Sequence, residues 1–198
     1  MDEFRRAQNT DAEFLVPLYA ESSGGTWPAI WKAFAVNGES LAQSGARYLR
    51  NPHNALSVSN TLVVEDRGER LGAMTTYRQG AIESTAAGAH DFSALPQDLL
   101  AALEPYRGLT EPNSLYIAEL CCLANARGRG LGSRFLACAK QSAAALGLPR
   151  VSLRVFAANT AALALYQRTG FSLVDQRQVV AHVDINASGL VLLMSCAL

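Results

Sequence analysis

The sequence has little that would tie it to a charged polymer, a membrane or an oxidising compartment. Its 198 residues hold 17 basic and 17 acidic side chains, so no excess of either sign draws it to nucleic acid or an anionic bilayer. Only four cysteines occur, Cys121, Cys122, Cys138 and Cys196, and no two form a CxxC pair, so buried reduced thiols are expected. Histidine is as sparse: His53, His90 and His182 have no metal-ligand spacing, and no metal site is expected. No apolar run approaches membrane-spanning length, and the charged start MDEFRRAQNTDAEF lacks the apolar stretch of a signal peptide. These absences point to a cytoplasmic protein with a compact, roughly neutral partner and with neither nucleic acid nor membrane as ligand. Internal repeats, low-complexity tails and interdomain linkers are missing too. Half the residues are hydrophobic, enough for one well-buried core, and a single domain over 1–198 is the expectation.

What is present reads as alternating strands and helices. FRRA at Phe4–Ala7 suggests a short strand, and Asn9, Thr10 and Asp11 offer caps to a helix carrying Phe14, Leu15, Leu18 and Tyr19, closed by Gly24 and Gly25. TWPAIWKAFA and ESLAQSGARYLRN read as two further helices, a helical insert at about 26–52 that holds both tryptophans. TLVVEDRGERLGAMTTY reads as a hairpin turning at Asp66–Glu69. A second insert, at about 92–107, contains LPQDLLAALEPY with Leu99, Leu100 and Leu103 on one side, and is a candidate lid or pocket wall. From Leu115 the pattern is strand (LYIAELCCL), glycine-rich loop, helix (Leu131–Leu146) and strand (VSLRVF), a βαβ unit whose strands should be parallel. Leu131, Phe135, Cys138, Ser142 and Leu146 lie about one turn apart along that helix. A short helix at Asn159–Arg168 and two strands, FSLVDQRQVVAHV and GLVLLMS, complete the chain.

The glycine-rich loop NARGRGLGS, Asn125–Ser133, stands directly before a helix. A helix N-terminus presents amides without intrahelical acceptors and a partial positive charge. Glycines there let backbone approach a ligand, and Arg127 and Arg129 add charge, so a phosphate is the expected guest. A Walker loop is excluded because no lysine precedes Ser133, and the alternating Gly128, Gly130 and Gly132 fit a dinucleotide fingerprint poorly. A glycine turn that only tightens the connection stays open at this point.

Arg127, Gly130 and Gly132 meet the pattern Arg/Gln-x-x-Gly-x-Gly/Ala, and NTAALALYQRTGF, Asn159–Phe171, matches Asn-x-x-Ala…Tyr-x-x-x-Gly-Phe. Together they resemble the coenzyme A motifs of the GCN5-related N-acetyltransferase (GNAT) family. The resemblance covers nearly the whole chain and is weakest over Gly24–Ser57 and Gln79–Asn113. It implies an α/β fold: a mixed, mostly antiparallel sheet with a central splayed parallel strand pair and helices on both faces.

It also implies an acyltransferase that moves an acetyl group from acetyl-CoA to a primary amine by direct attack in a ternary complex. The coenzyme would meet the loop residues Arg127, Gly128, Arg129, Gly130, Leu131, Gly132 and Ser133. The backbone of Leu120, Cys122 and Leu123 would pair with the pantetheine arm, and an amide near Leu120 or Cys121 would face the thioester oxygen. Asn159, Ala162 and Tyr166 would make further coenzyme contacts, with Tyr166 as general acid toward the sulfur and Asn159 also suited to a helix N-cap. Glu119, a carboxylate in an apolar strand, is either the general base or amine-orienting group, or the partner of Arg154 in a structural ion pair. Cys121 and Cys122 suit packing better than nucleophilic chemistry. Trp27 and Trp31, one turn apart, with Glu21 and Ser22 before them, are candidates for the acceptor pocket, though a core stripe explains the tryptophans as well. A small-molecule amine is the favoured acceptor. A protein or peptide acceptor and a non-catalytic acyl-CoA-binding module remain alternatives, and monomer or homodimer is left open.

Overall fold

The computed structural model describes residues 2–79 and 92–198, so His90 lies outside the described residues. Seven strands form one sheet in the order β1-β2-β3-β4-β5-β7-β6: β1 (Glu3–Arg6), β2 (Thr61–Asp66), β3 (Glu69–Arg78), β4 (Ser114–Cys122), β5 (Arg150–Phe156), β6 (Ser172–Gln178) and β7 (Leu190–Ala197). Every neighbouring pair is antiparallel except β4 and β5, the parallel pair that the βαβ pattern required.

Helices cover both faces. On one side α1 (Ala12–Ser22), α2 (Thr26–Ala33), α3 (Leu41–Arg50) and α4 (Gln97–Arg107) bury Leu15, Tyr19, Trp31, Leu49 and Leu99 against the sheet. On the other, α5 (Leu131–Ala145) and α6 (Thr160–Arg168) bury Phe135, Leu136, Ala139 and Tyr166. The buried stripe of α5 runs through Leu131, Phe135, Leu136, Ala139 and Ala143, whereas Ser142 and Leu146 are exposed. The expected row 131-135-138-142-146 thus bends away from the core after two turns, because 3.6 residues per turn carries a strict four-then-three spacing off the contact line.

The central feature is a splay. β4 and β5 pair only over Ser114–Ile117 and Arg150–Leu153, although both strands continue. The register of β3 on β4 slips at the same place, from Thr76↔Ile117 to Thr75↔Glu119, leaving Ala118 as a bulge that adds local twist. Residues 114–117 are buried and 118–122 half-buried, so the sheet opens where the pairing stops.

Candidate active site

A cleft of about 1090 Å³ fills the opening between β4 and β5 and runs from the N-terminus of α5 to the helices of the two inserts. Leu123 N–H donates to Leu71 of β3 at 2.9 Å. Hydrogen-bonding direction alternates along a strand, so through the unbroken register 119–122 the amides and carbonyls of Glu119 and Cys121 face β3, and those of Leu120 and Cys122 face the splay. The backbone groups of Leu120 and Cys122, two of the three expected to meet the pantetheine, thus face the opening. The Leu123 amide does not, being spent on Leu71, and its carbonyl already accepts from Ala126 N–H. Of Leu120 and Cys121, only Leu120 turns its amide into the cleft.

At the loop, Gly128 and Gly130 take φ of +77° and +76°, and a Cβ on either would meet no atom of the described residues within 4 Å. Packing does not demand glycine there; the left-handed backbone does. Gly132 differs, since a Cβ would lie 2.7 Å from Leu165 Cδ2, so it serves the close approach of α5 to α6. The first bond entering α5 runs from Arg134 N–H to Gly130 O, which leaves the amides of Leu131, Gly132 and Ser133 ahead of it as a cradle for an anion. Arg127 lines the cleft, its guanidinium donating to Glu21 at 2.9 Å and to Cys122 O at 3.3 Å. Arg129 is turned away, paired with Asp2 and Asp66, so its side chain adds no charge to the cradle.

Tyr166 and Asn159 also line the cleft. Asn159 caps α6 by accepting from Ala162 N–H at 3.1 Å, which satisfies that amide. The Tyr166 ring packs on Phe171 at 5.8 Å, and burial, reinforced by the charge of Glu119, raises its hydroxyl pKa.

Glu119 is the chemical centre of the opposite lip. One carboxylate oxygen accepts from Ser22 Oγ at 2.6 Å and the other from the Trp27 indole N–H at 2.7 Å. Burial pushes its pKa up to about 7 against the opposing pull of those bonds and of the Arg154 charge. The ion pair with Arg154 does not form: the guanidinium donates instead to Tyr116 Oη and the Tyr106 carbonyl, both at 2.5 Å. Trp31, expected at the acceptor pocket, is fully buried in the core beneath Trp27, stacked on it at 6.4 Å. Trp27 and the exposed Glu21 do line the cleft, joined by residues the sequence did not single out, Tyr48, Leu56 and Tyr106. Their apolar periodicity reads equally well as core packing, which hides a pocket-lining role.

Burial raises the thiol pKa of both Cys121 and Cys122, which suits packing rather than nucleophilic attack. His182 accepts from Asp184 N–H at 3.1 Å, and among the described residues no group of His, Cys, Asp and Glu gathers as metal ligands. Nor, among them, is any helix long and apolar enough to cross a membrane.

A family model described as the acetyltransferase (GNAT) family matches residues 27–171, which contain the loop, the splayed pair, Glu119 and Tyr166. The chain belongs to the GNAT family. The GCN5-related N-acetyltransferase 6 of Arabidopsis thaliana is 40% identical over 60 residues, 30% of this chain and 21% of that protein, so the match spans about a fifth of that relative's length. Two solved structures share the fold. A protein described as an acetyltransferase superposes with a TM-score of 0.68 at 21% identity, over 98% of each chain. An N-acetyltransferase from Staphylococcus aureus Mu50 gives 0.66 at 16%, covering 98% of this GNAT chain and 99% of its own.

Proposed function

We propose that this GNAT protein is an N-acetyltransferase that moves the acetyl group of acetyl-CoA to the primary amine of a small molecule, by direct attack in a ternary complex. The observation that carries the reading is the splay, with an anion cradle at one end and a carboxylate of pKa about 7 on its lip. Leu131, Gly132 and Ser133 would bind the pyrophosphate through their amides, with Arg127 beside them. The exposed backbone edges of Leu120 and Cys122 would hold the pantetheine arm, and the Leu120 amide would stabilise the oxyanion developing at the thioester carbonyl.

Glu119 takes the proton of the incoming amine, directly or through a water, as the nitrogen bonds the carbonyl carbon. Its pKa near 7 suits a base that must be free at neutral pH and still accept a proton. As the carbon–sulfur bond breaks, Tyr166 gives its proton to the departing thiolate; exchange with water then restores both side chains. A raised pKa keeps Tyr166 protonated until that moment. The walls that α2, α3 and α4 contribute, Trp27, Tyr48, Leu100 and Tyr106 among them, favour a compact acceptor over an extended peptide.

The test is calorimetric titration with acetyl-CoA of the wild type and of Gly130→Asp, followed by product analysis with primary amines. Micromolar-range binding that the variant loses is expected, since aspartate strains a φ of +76° and places a negative charge at the cradle. No binding by the wild type would end the reading.

A further inference from the structure

Arg154 stands apart from the other arginines of the described residues. Each of the others either pairs with a carboxylate, as Arg5, Arg47, Arg127 and Arg150 do, or is exposed, as Arg6, Arg67, Arg78 and Arg168 are. Arg154 is partly buried, one residue beyond the point where β5 leaves β4, and among the described residues it reaches no acidic group. Its acceptors are a phenol and a peptide carbonyl, both neutral. Its guanidinium lies 5.0 Å from the Tyr116 ring centroid and 5.7 Å from that of Tyr106. Nε and Nη1 are used, and Nη2 meets no acceptor among the described residues. A cation in a cleft whose hydrogen-bond acceptors are all neutral, and which the Glu119 carboxylate reaches only through space, is costly unless an anion completes the site.

The face of the sheet is as informative. Leu153 and Val155 send their side chains into the core beneath α5, so Arg154, between them, points to the opposite face. Glu119 faces the same way, since its carboxylate meets Ser22 of α1 and Trp27 of α2. The two lips of the splay thus carry one carboxylate and one guanidinium that do not pair with each other, because Glu119 is held by Ser22 and Trp27 and Arg154 by Tyr106 and Tyr116. Apolar and aromatic groups line the cleft on the same side, including Ile30, Tyr48, Leu100, Leu103 and Phe156.

We propose that Arg154 is a specificity-determining residue that receives the carboxylate of the acceptor, and that the acceptor is an amino acid with an apolar or aromatic side chain. This rests on the acetyl-transfer reading, in which Glu119 takes the amine. The planar fork of a guanidinium matches a carboxylate, the amine lies toward Glu119, and the side chain enters the apolar wall.

The experiment is titration of the protein, saturated with CoA so that no turnover occurs, with leucine, phenylalanine and tryptophan, and with the amide and the decarboxylated amine of each. The expected result is that at least one amino acid binds, and that its amide and amine bind about ten- to hundredfold more weakly. In Arg154→Gln the preference collapses, and in Arg154→Lys part of it returns. Because the first comparison uses the wild type alone, it holds even if a variant fails to fold. The inference is overturned if CoA binds but no amino acid does, if amine and amide bind as well as the amino acid, or if Arg154→Gln weakens CoA and leaves the preference intact. Failure of CoA itself to bind would overturn the acetyl-transfer reading, and this inference with it.

Discussion

Glu119 shows how a strand position can bring a carboxyl to ionise near neutral pH. Desolvation alone would hold the carboxyl neutral; the hydroxyl of Ser22 and the indole of Trp27 return enough stabilisation to the anion to bring its pKa to about 7. Two outcomes follow for activity. The rate kcat/KM should rise with pH toward a plateau above about 7 as Glu119 loses its proton, and that acid limb should vanish in Glu119→Gln along with about 10²- to 10⁴-fold of the turnover. A pH–rate profile of the two proteins checks both, with Arg154, Cys121, Tyr19, Tyr116 and Tyr166 among the neighbouring titratable groups. Tyr166→Phe should lower kcat by about 10²-fold and leave the dissociation constant of acetyl-CoA nearly unchanged. Turnover at the wild-type level would exclude proton donation by that hydroxyl.

Among the elements, the short helix α6 carries two duties on one face. Its N-cap Asn159 satisfies an amide, and its second turn presents Tyr166. Removing the cap in Asn159→Ala should cost about 1 kcal/mol, which for a chain of this size lowers the melting temperature by about 2–4 °C. Calorimetric melting measures it without coenzyme present, apart from any contact the side chain makes with ligand. A second junction ties strands to a helix. Asp11, 1% exposed ahead of α1, takes two bonds from Arg5 of β1 at 2.8 and 3.0 Å, one from Arg70 of β3 at 3.3 Å and one from the Gln8 amide at 2.8 Å. Those donors, Arg5 first, depress its pKa below 3.8. The stability it contributes is therefore present above the unfolded value and lost as pH falls through the depressed one. Asp11→Ala should lose about 3 kcal/mol, the lower end for breaking a buried pair because Arg5 keeps contact with water. Urea denaturation at neutral pH reads it.

Across the whole molecule, Ser22 of α1 and Trp27 of α2 close over the Glu119 carboxyl of β4, and its desolvation raises the pKa. Its folded pKa of about 7 exceeds the ordinary 4.5, so its contribution to stability is complete below about 4.5 and is lost as pH rises to about 7. Thermal melts should show a fall in stability over that interval, shallower in Glu119→Gln than in the wild type. Equal slopes would place the carboxyl in a wetter setting than its partners suggest.

Much of this was legible along the chain. Period-two and helical patterning, capping residues and turn glycines placed the strands, the helices α2, α3 and α4 and the parallel pair, because these depend on neighbours in sequence. The spaced pair of motifs, Arg127-x-x-Gly130-x-Gly132 and Asn159…Tyr166, marked the family and one half of the cleft. Four things came only with the tertiary structure. Arg129 left the cradle for Asp2 and Asp66, Trp31 went to the core while Trp27 reached Glu119, Leu123 was spent on β3, and Glu119 and Arg154 stayed apart. Each is a choice among partners distant in sequence, 92 residues separating Trp27 from Glu119 and 127 separating Asp2 from Arg129. Local patterning sets which residues can carry charge or hydrogen bonds, but the competition among donors and acceptors is decided only when packing brings the far strands and helices together.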